Sequence, residues 1–374
     1  MSAQRIHIVS FDVPYPADYG GVIDIYFTCR ALTRLGAEVV LHCFQYGRPA
    51  RRELLDIASE VHYYDRPRGK GILSRHMPYI TGSRAHPDLL ARLQQDQAPI
   101  LFEGLHTTAF LGHPLLAGRR QVVRMHNIEH DYYRELAGQE SHPGKKIFYL
   151  LESRRLREYE SILRKADAIA AISEGDARSL HWRFGERVVE VPGFHPYHEV
   201  SGPLGTGAYA FYHANLSVIE NHRAALWLVN EIFRDLDYPL VLAGRAPRKE
   251  LLRAVRSYPW IRVIGDPEQE EMDTLLRDAQ MVVLPTFQAT GLKLKLLSSL
   301  FKGRHVIANP GMVKGTGLGS LCAVGDTPEA FRRLVLEVQS TPFTRAIREE
   351  RQGLLIPRFD NDSNGRKLLD LFMG

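Results

Sequence analysis

Two lysines, Lys293 and Lys295, stand where a helix is expected to begin, and a positive charge is the wrong charge for that place. Free N–H groups and the aligned peptide dipoles already make a helix N-terminus partially positive. Two ammonium groups are favoured there only beneath an anion, and a diphosphate is the natural one. A second group of chemistry-bearing residues is His126-Asn127-Ile128-Glu129-His130, with Glu103, Gly104 and His106 earlier in the chain. Taken alone, HNIEH matches H-x-x-E-H, which holds zinc only if both histidines share one helix face and an open metal position remains. His126 closes an apolar run at 121–125 and is expected at a strand end, so no metal site is expected. Arg245 follows another apolar run, where a guanidinium could reach a phosphate.

Elements able to position these groups can be read around them. The apolar run at 281–284 is short enough for a buried strand, and a polar loop follows at 285–291. Leu296, Leu297, Leu300 and Phe301 then form one helical stripe that Gly303 ends, before a strand at 305–308. The chain opens in the same way. A strand at 5–12 leads through Gly20-Gly21 into a helix ended by Gly36, and a strand follows at 38–44. Glycine at that turn lets backbone N–H groups approach a ligand. Further strands are expected at 60–65, 99–103, 121–125, 167–172 and 187–191. A small-residue linker at 201–207 precedes a second series at 209–213, 239–243, 261–264, 281–284 and 305–308. Ser217 and Glu220 have the spacing of a capping box for a helix through Arg234. A basic helix is expected from Lys145 to Ala166, with Glu152–Arg155 as a pair along it. Its solvated reading is preferred, and contact with an anionic membrane is the sharper alternative. Strand–helix alternation in both halves predicts an α/β protein of two doubly wound Rossmann-like domains facing each other across a cleft. The expected division is 1–200, 201–342 and a tail, 343–374, that returns to the first domain.

Composition limits the classes available. A chain of 374 residues exceeds one ordinary core and suits two domains. Hydrophobic content of 44% with 24% charged residues is that of a globular protein rather than a disordered or membrane-embedded one. A net charge of +5 is too mild for a nucleic-acid footprint, and no nucleic-acid partner is expected. Cys29, Cys43 and Cys322 are too few and too scattered for a disulfide framework, which points to a reducing compartment. With no signal-peptide pattern and no apolar run near the roughly 20 residues of a membrane span, a cytoplasmic location is expected, with the inner face of the membrane as a peripheral contact. Asp235-Leu236-Asp237 is formally a D-x-D but precedes a strand instead of following one.

The stretch GLKLKLLSSLFKGRHVI resembles the donor-binding element of retaining GT-B glycosyltransferases of family 4. The Gly20-Gly21 loop, the string beginning at His126 and the segment Ala171-Ile172-Ser173-Glu174 resemble the same family in the same order. The resemblance covers nearly the whole chain. It implies transfer of a sugar, of the hexosyl class, from a nucleotide-diphosphate sugar to a glycan or lipid-linked acceptor with retention, in polysaccharide biosynthesis. It places Gly20, Gly21, Arg245, Thr290, Gly291, Leu292, Lys293, Lys295 and Ser298 at the donor. His126 would face the donor sugar, and Glu103 or Glu129 would orient the acceptor hydroxyl. No cofactor or metal would be required. The family's E-x7-E carboxylates are replaced by Thr290 and Ser298, and the second of them typically holds the ribose. Two alternatives therefore stand beside transfer: a nucleotide-sugar epimerase of the same fold, and a non-catalytic binding protein that has lost the ribose-binding Glu.

Overall fold

The computed structural model describes residues 4–67, 77–140, 142–287 and 293–373. Two compact units emerge among them. Residues up to Pro196 and from Phe359 onward form the first, and Tyr197 to Arg358 the second. The expected tail is thus divided at Arg358. Arg351 explains why the helix Arg345–Phe359 stays largely with the second unit: its buried guanidinium donates to the carbonyls of Leu300, Gly303 and Arg304.

The first unit is built on seven parallel strands: β1 (Arg5–Ser10), β2 (Glu38–Gln45), β3 (Glu60–Asp65), β4 (Ile100–Glu103), β5 (Gln121–Met125), β6 (Ala168–Ala171) and β7 (Val188–Glu190). Their spatial order is β3-β2-β1-β4-β5-β6-β7. Ile6, Ile8, Val9, Leu101, Phe102, Val122 and Val123 are all buried, because helices cover both faces and each strand must be apolar on both sides. On one face Ile25, Cys29 and Leu32 of the helix Gly20–Arg34 meet Ile6, Ile8 and Leu41. Leu368 and Phe372 of the last helix, Asn361–Met373, join the same cluster. Gly365 permits the close approach of that helix, since a Cβ there would lie 2.7 Å from Leu35 Cδ1. On the other face Val9, Phe44, Phe102 and Val123 pack with Leu89, Leu93, Leu156 and Leu180.

The second unit holds six parallel strands: β8 (Ala210–His213), β9 (Leu240–Gly244), β10 (Ile261–Gly265), β11 (Met281–Leu284), β12 (His305–Ala308) and β13 (Ala323–Val324), in the order β10-β9-β8-β11-β12-β13. In each sheet the order in which successive strands are added reverses once, between β1 and β4 and between β8 and β11. Chains leaving the carboxyl ends at such a point diverge to opposite faces and leave a crevice, so these two points are where ligands are expected.

Two local expectations are corrected. The helix expected to run to Arg234 begins at Ile219 with Val218 as its cap, and no side-chain capping box forms. Ser217 donates instead to Asn215, and Glu220 accepts from the Thr286 hydroxyl. After Trp227 the backbone widens into a π turn, Leu228–Ile232, and then tightens at Phe233–Asp235. The basic helix spans Pro143–Tyr159 and ends in a 3-10 segment, Glu160–Lys165. Its Arg155 and Glu152 do pair, at 2.8 Å. All three cysteines are free. Among the described residues no helix is long and apolar enough to cross a membrane.

Candidate functional site

In the first unit, the chain leaving β4 and β5 delivers Glu103, His106, His126 and Glu129 to the switch point. Gly104 turns the chain with φ at +72°, and a Cβ there would lie 2.9 Å from His106 Nδ1. His126 is buried, with Nε2 at 2.6 Å from Glu103 Oε2 and Nδ1 at 3.7 Å from Asp24 Oδ2. Burial works against its imidazolium, yet the hydrogen bond to Glu103 and the charges of Glu103 and Asp24 outweigh it, so its pKa lies above the ordinary value. The Phe11 ring stands between His106 and His126, with centroids at 5.1 and 5.3 Å. Gly21 is required by that ring, because a Cβ would come within 2.5 Å of Phe11 Cζ. Gly20 opens the first helix beside it.

Beneath His126 lies a buried ion pair. Asp24 accepts from Arg124 through both oxygens, at 2.9 and 3.0 Å, and from the Phe194 N–H at 2.6 Å. Arg124 also donates to the carbonyls of Val191 and Pro192. Asp24, Glu103 and His126 offer ligand atoms within 4.8 Å of one another. A cation would have to displace the Arg124 guanidinium from Asp24 and the His126 ring from Glu103, so the trio lacks the open position of a metal site. The H-x-x-E-H spacing does not bring its histidines together: His130 bonds Glu160 through Nδ1 at 2.6 Å, while His126 turns to Glu103. Glu129, on the first turn of the helix Glu129–Gln139, is buried, accepts a long bond from Asn127 (3.4 Å) and lies 3.8 Å from His106 Nδ1. Burial pushes its carboxyl pKa up to about 7. Glu103 Oε1 and His106 Nδ1 are buried with no hydrogen-bond partner among the described residues.

In the second unit, the helix Leu294–Lys302 carries the expected apolar stripe inward, with Leu296, Leu297, Leu300 and Phe301 buried and Gly303 as its C-cap. Lys293 is its N-cap residue. Lys295 turns toward the switch point: its Nζ donates to Asn221 Oδ1 at 3.2 Å and sits 5.5 Å from the centre of the Tyr212 ring. Burial, joined by the charge of Lys293 and opposed by that of Glu220, pushes its amine pKa down to about 8. His213, at the end of β8, bonds Ser299 Oγ at 3.0 Å, and Ser299 donates to the Lys295 carbonyl. Burial and the neighbouring Lys295 push that imidazole down to about 4. The Ser298 hydroxyl donates to the same carbonyl at 3.0 Å and bonds Tyr197. Arg245 is exposed just past β9, where Gly244 (φ +156°) lets the chain pass the Ala214 carbonyl that a Cβ would strike. Thr290, Gly291 and Leu292 lie outside the described residues.

Several residues of these clusters escaped the sequence reading. Arg124 and Asp24 left a signal, since each is a charge inside an otherwise apolar buried run. Glu220 was seen but read as a helix cap. Asn221, His213 and Thr286 left none, because only folding sets them beside Lys295 and Glu220.

Comparison with known proteins agrees with both halves. Residues 20–194 match the profile described as Glycosyltransferase Family 4, and residues 209–341 that of Glycosyl transferases group 1. The chain belongs to the family 4 glycosyltransferases with the GT-B fold. An uncharacterised 44.6 kDa protein in the cps region of Klebsiella pneumoniae is 25% identical over 333 residues, 84% of each chain. Among solved structures, a glycosyltransferase from Rickettsia africae aligns with a TM-score of 0.64 at 12% identity, over 100% of this chain and 98% of its own. TarM aligns at 0.66 and 8% identity, over 99% of both chains. HepE from Anabaena, solved with UDP and glucose, aligns at 0.63 and 12% identity, over 98% of both. These likenesses establish the fold.

Proposed function

We propose that the chain transfers a sugar, of the hexosyl class, from a nucleotide-diphosphate sugar to a glycan or lipid-linked acceptor with retention, in polysaccharide biosynthesis. The observation that carries this reading is Lys295. A half-buried ammonium at a helix start, with its pKa pushed down to about 8, is an unfavourable arrangement until an anion joins it. A diphosphate would supply that anion and would raise the pKa of the amine again. In the reaction Lys293, Lys295 and Arg245 would meet the negative charge that grows on the leaving diphosphate, the role a divalent metal fills elsewhere. His126, its pKa raised by Glu103 and Asp24 against burial, would contact the donor sugar at the anomeric centre. Glu129, poised near neutrality, would orient the acceptor hydroxyl.

Thermal shift of the purified protein with UDP, GDP, ADP and dTDP, and with their sugars, tests the donor site. One nucleotide should raise the melting temperature, and Lys293→Ala/Lys295→Ala should abolish the shift. Ser298→Glu should enlarge it if the serine is a weakened ribose contact. A folded protein that responds to no nucleotide would put the binding-protein reading first. Turnover of a nucleotide sugar without an acceptor, giving its epimer, would favour the epimerase.

A further inference from the structure

The basic helix Pro143–Tyr159 buries its C-terminal half, and its N-terminal half touches the unit through Tyr149, which packs on Tyr133, and Phe148. Glu152, Ser153 and Leu156 are buried, whereas Ile147, Leu150 and Leu151 are 58%, 48% and 54% exposed. These three positions, with Arg154, recur at helical spacing and form one outward stripe. Phe148 flanks it, half covered by Tyr79. Charge surrounds the stripe. The helix carries five cations against two carboxylates, and Glu152 and Glu158 are taken by Arg155 and Arg154. Lys145, Lys146 and Arg157 make no ion pair among the described residues. The same helix borders a hollow of about 410 Å³ whose lining includes Met77, Tyr159 and Ile162, the cations Arg155 and Lys165 and the carboxylate of Glu158.

We propose that this stripe is a docking surface for an anionic lipid bilayer. Four large apolar side chains on an exposed helix end can enter the acyl boundary while lysine and arginine stems reach up to the phosphates. A second copy of the chain is a poorer occupant, because a two-fold contact through this stripe would bring the same unpaired cations together. The proposal is independent of which sugar is moved, and it places the protein where a lipid-linked acceptor would be found.

Cosedimentation with phosphatidylcholine vesicles, with and without about 30 mol % phosphatidylglycerol, tests it. The full chain should pellet with the anionic vesicles and not with the neutral ones, and salt should weaken the binding. Ile147→Ser/Leu151→Ser and Lys145→Glu/Lys146→Glu should each weaken binding about tenfold or more. Both pairs change exposed positions, so melting temperature and any nucleotide-induced shift should be unaltered. Wild-type protein that stays in the supernatant, or variants that bind as well as wild type, would overturn the proposal. Equal binding to neutral vesicles would overturn its anionic part. Self-association in gel filtration that the apolar variant abolishes would give the stripe to a second copy instead. Vesicle binding without any nucleotide shift would leave the bilayer surface standing and sink only the donor reading.

Discussion

His126 is clamped between two buried carboxylates, Glu103 at 2.6 Å on one ring nitrogen and Asp24 at 3.7 Å on the other. Arg124 balances Asp24 from below, and Glu103 is the carboxylate hydrogen-bonded to the ring. Glu103→Gln keeps a hydrogen-bond partner but removes the charge that holds the proton. Transfer activity should fall about 100-fold, and the His126 pKa, followed by NMR, should drop. An unchanged rate in a folded Glu103→Gln protein would remove His126 from the chemistry.

The Asp24–Arg124 pair supports the site and does not act in it. Removing one partner strands a buried charge, so Asp24→Asn should cost about 3–5 kcal/mol in urea unfolding. Replacing both, as in Asp24→Leu/Arg124→Met, should recover most of that loss. A single variant as stable as wild type would show that water reaches the pair.

Glu129 makes stability depend on pH with a defined sign. Its pKa is raised from 4.5 to about 7 in the folded protein. Between these values the folded state binds more protons than the unfolded one, so this group's contribution falls as pH rises. Glu129→Gln should flatten that slope and stabilise the protein at pH 8 by on the order of 3 kcal/mol. Parallel melting curves for variant and wild type from pH 5 to 8 would contradict the assignment.

Lys295 should make nucleotide binding pH-dependent. Its folded pKa is lowered to about 8, and a bound diphosphate raises it, so binding takes up a proton above that pH. Calorimetry should show affinity weakening toward about tenfold per pH unit above pH 8. Lys295→Arg, which cannot lose its proton, should remove that dependence.

A chain of hydrogen bonds outside the candidate site should set the acid limit. Tyr64 donates to His42 Nδ1, His42 bonds His7 at 2.8 Å, and His7 bonds Asp96 at 2.9 Å. Burial lowers both imidazoles, with Arg119 adding to the effect on each. Arg5 also lowers His7, His62 and Arg92 lower His42, and Asp96 opposes the shift of His7. Both histidines therefore bind a proton less readily folded than unfolded, so stability is lost as pH falls through the ordinary imidazole range. His42→Gln should reduce the fall in melting temperature between pH 7 and 5.

Much of the fold was legible in the chain. Short apolar runs separated by helical stripes fix a parallel α/β protein, because a strand covered on both faces has no polar side to show. Gly36 marked a helix end through its left-handed backbone, φ +91°, and Gly303 marks one because a Cβ there would lie 2.8 Å from the Ser299 carbonyl. The lysines of the helix at Leu294 stood out because their charge contradicts the dipole beneath them. Three-dimensional contact decided the rest. Glu220 has the spacing of a cap, yet its carboxylate is claimed by Thr286, 66 residues away. HNIEH has the spacing of a metal motif, yet its histidines turn to Glu103 and Glu160, which lie on different elements. Asp24 and Arg124 are 100 residues apart and look like isolated charges until the sheet aligns them. Sequence spacing carries periodicity and local chemistry, because neighbours along the chain share a backbone. It does not carry the burial and long-range pairing that shift a pKa, and those raised the pKa of His126, brought Glu129 to about 7 and lowered Lys295 to about 8.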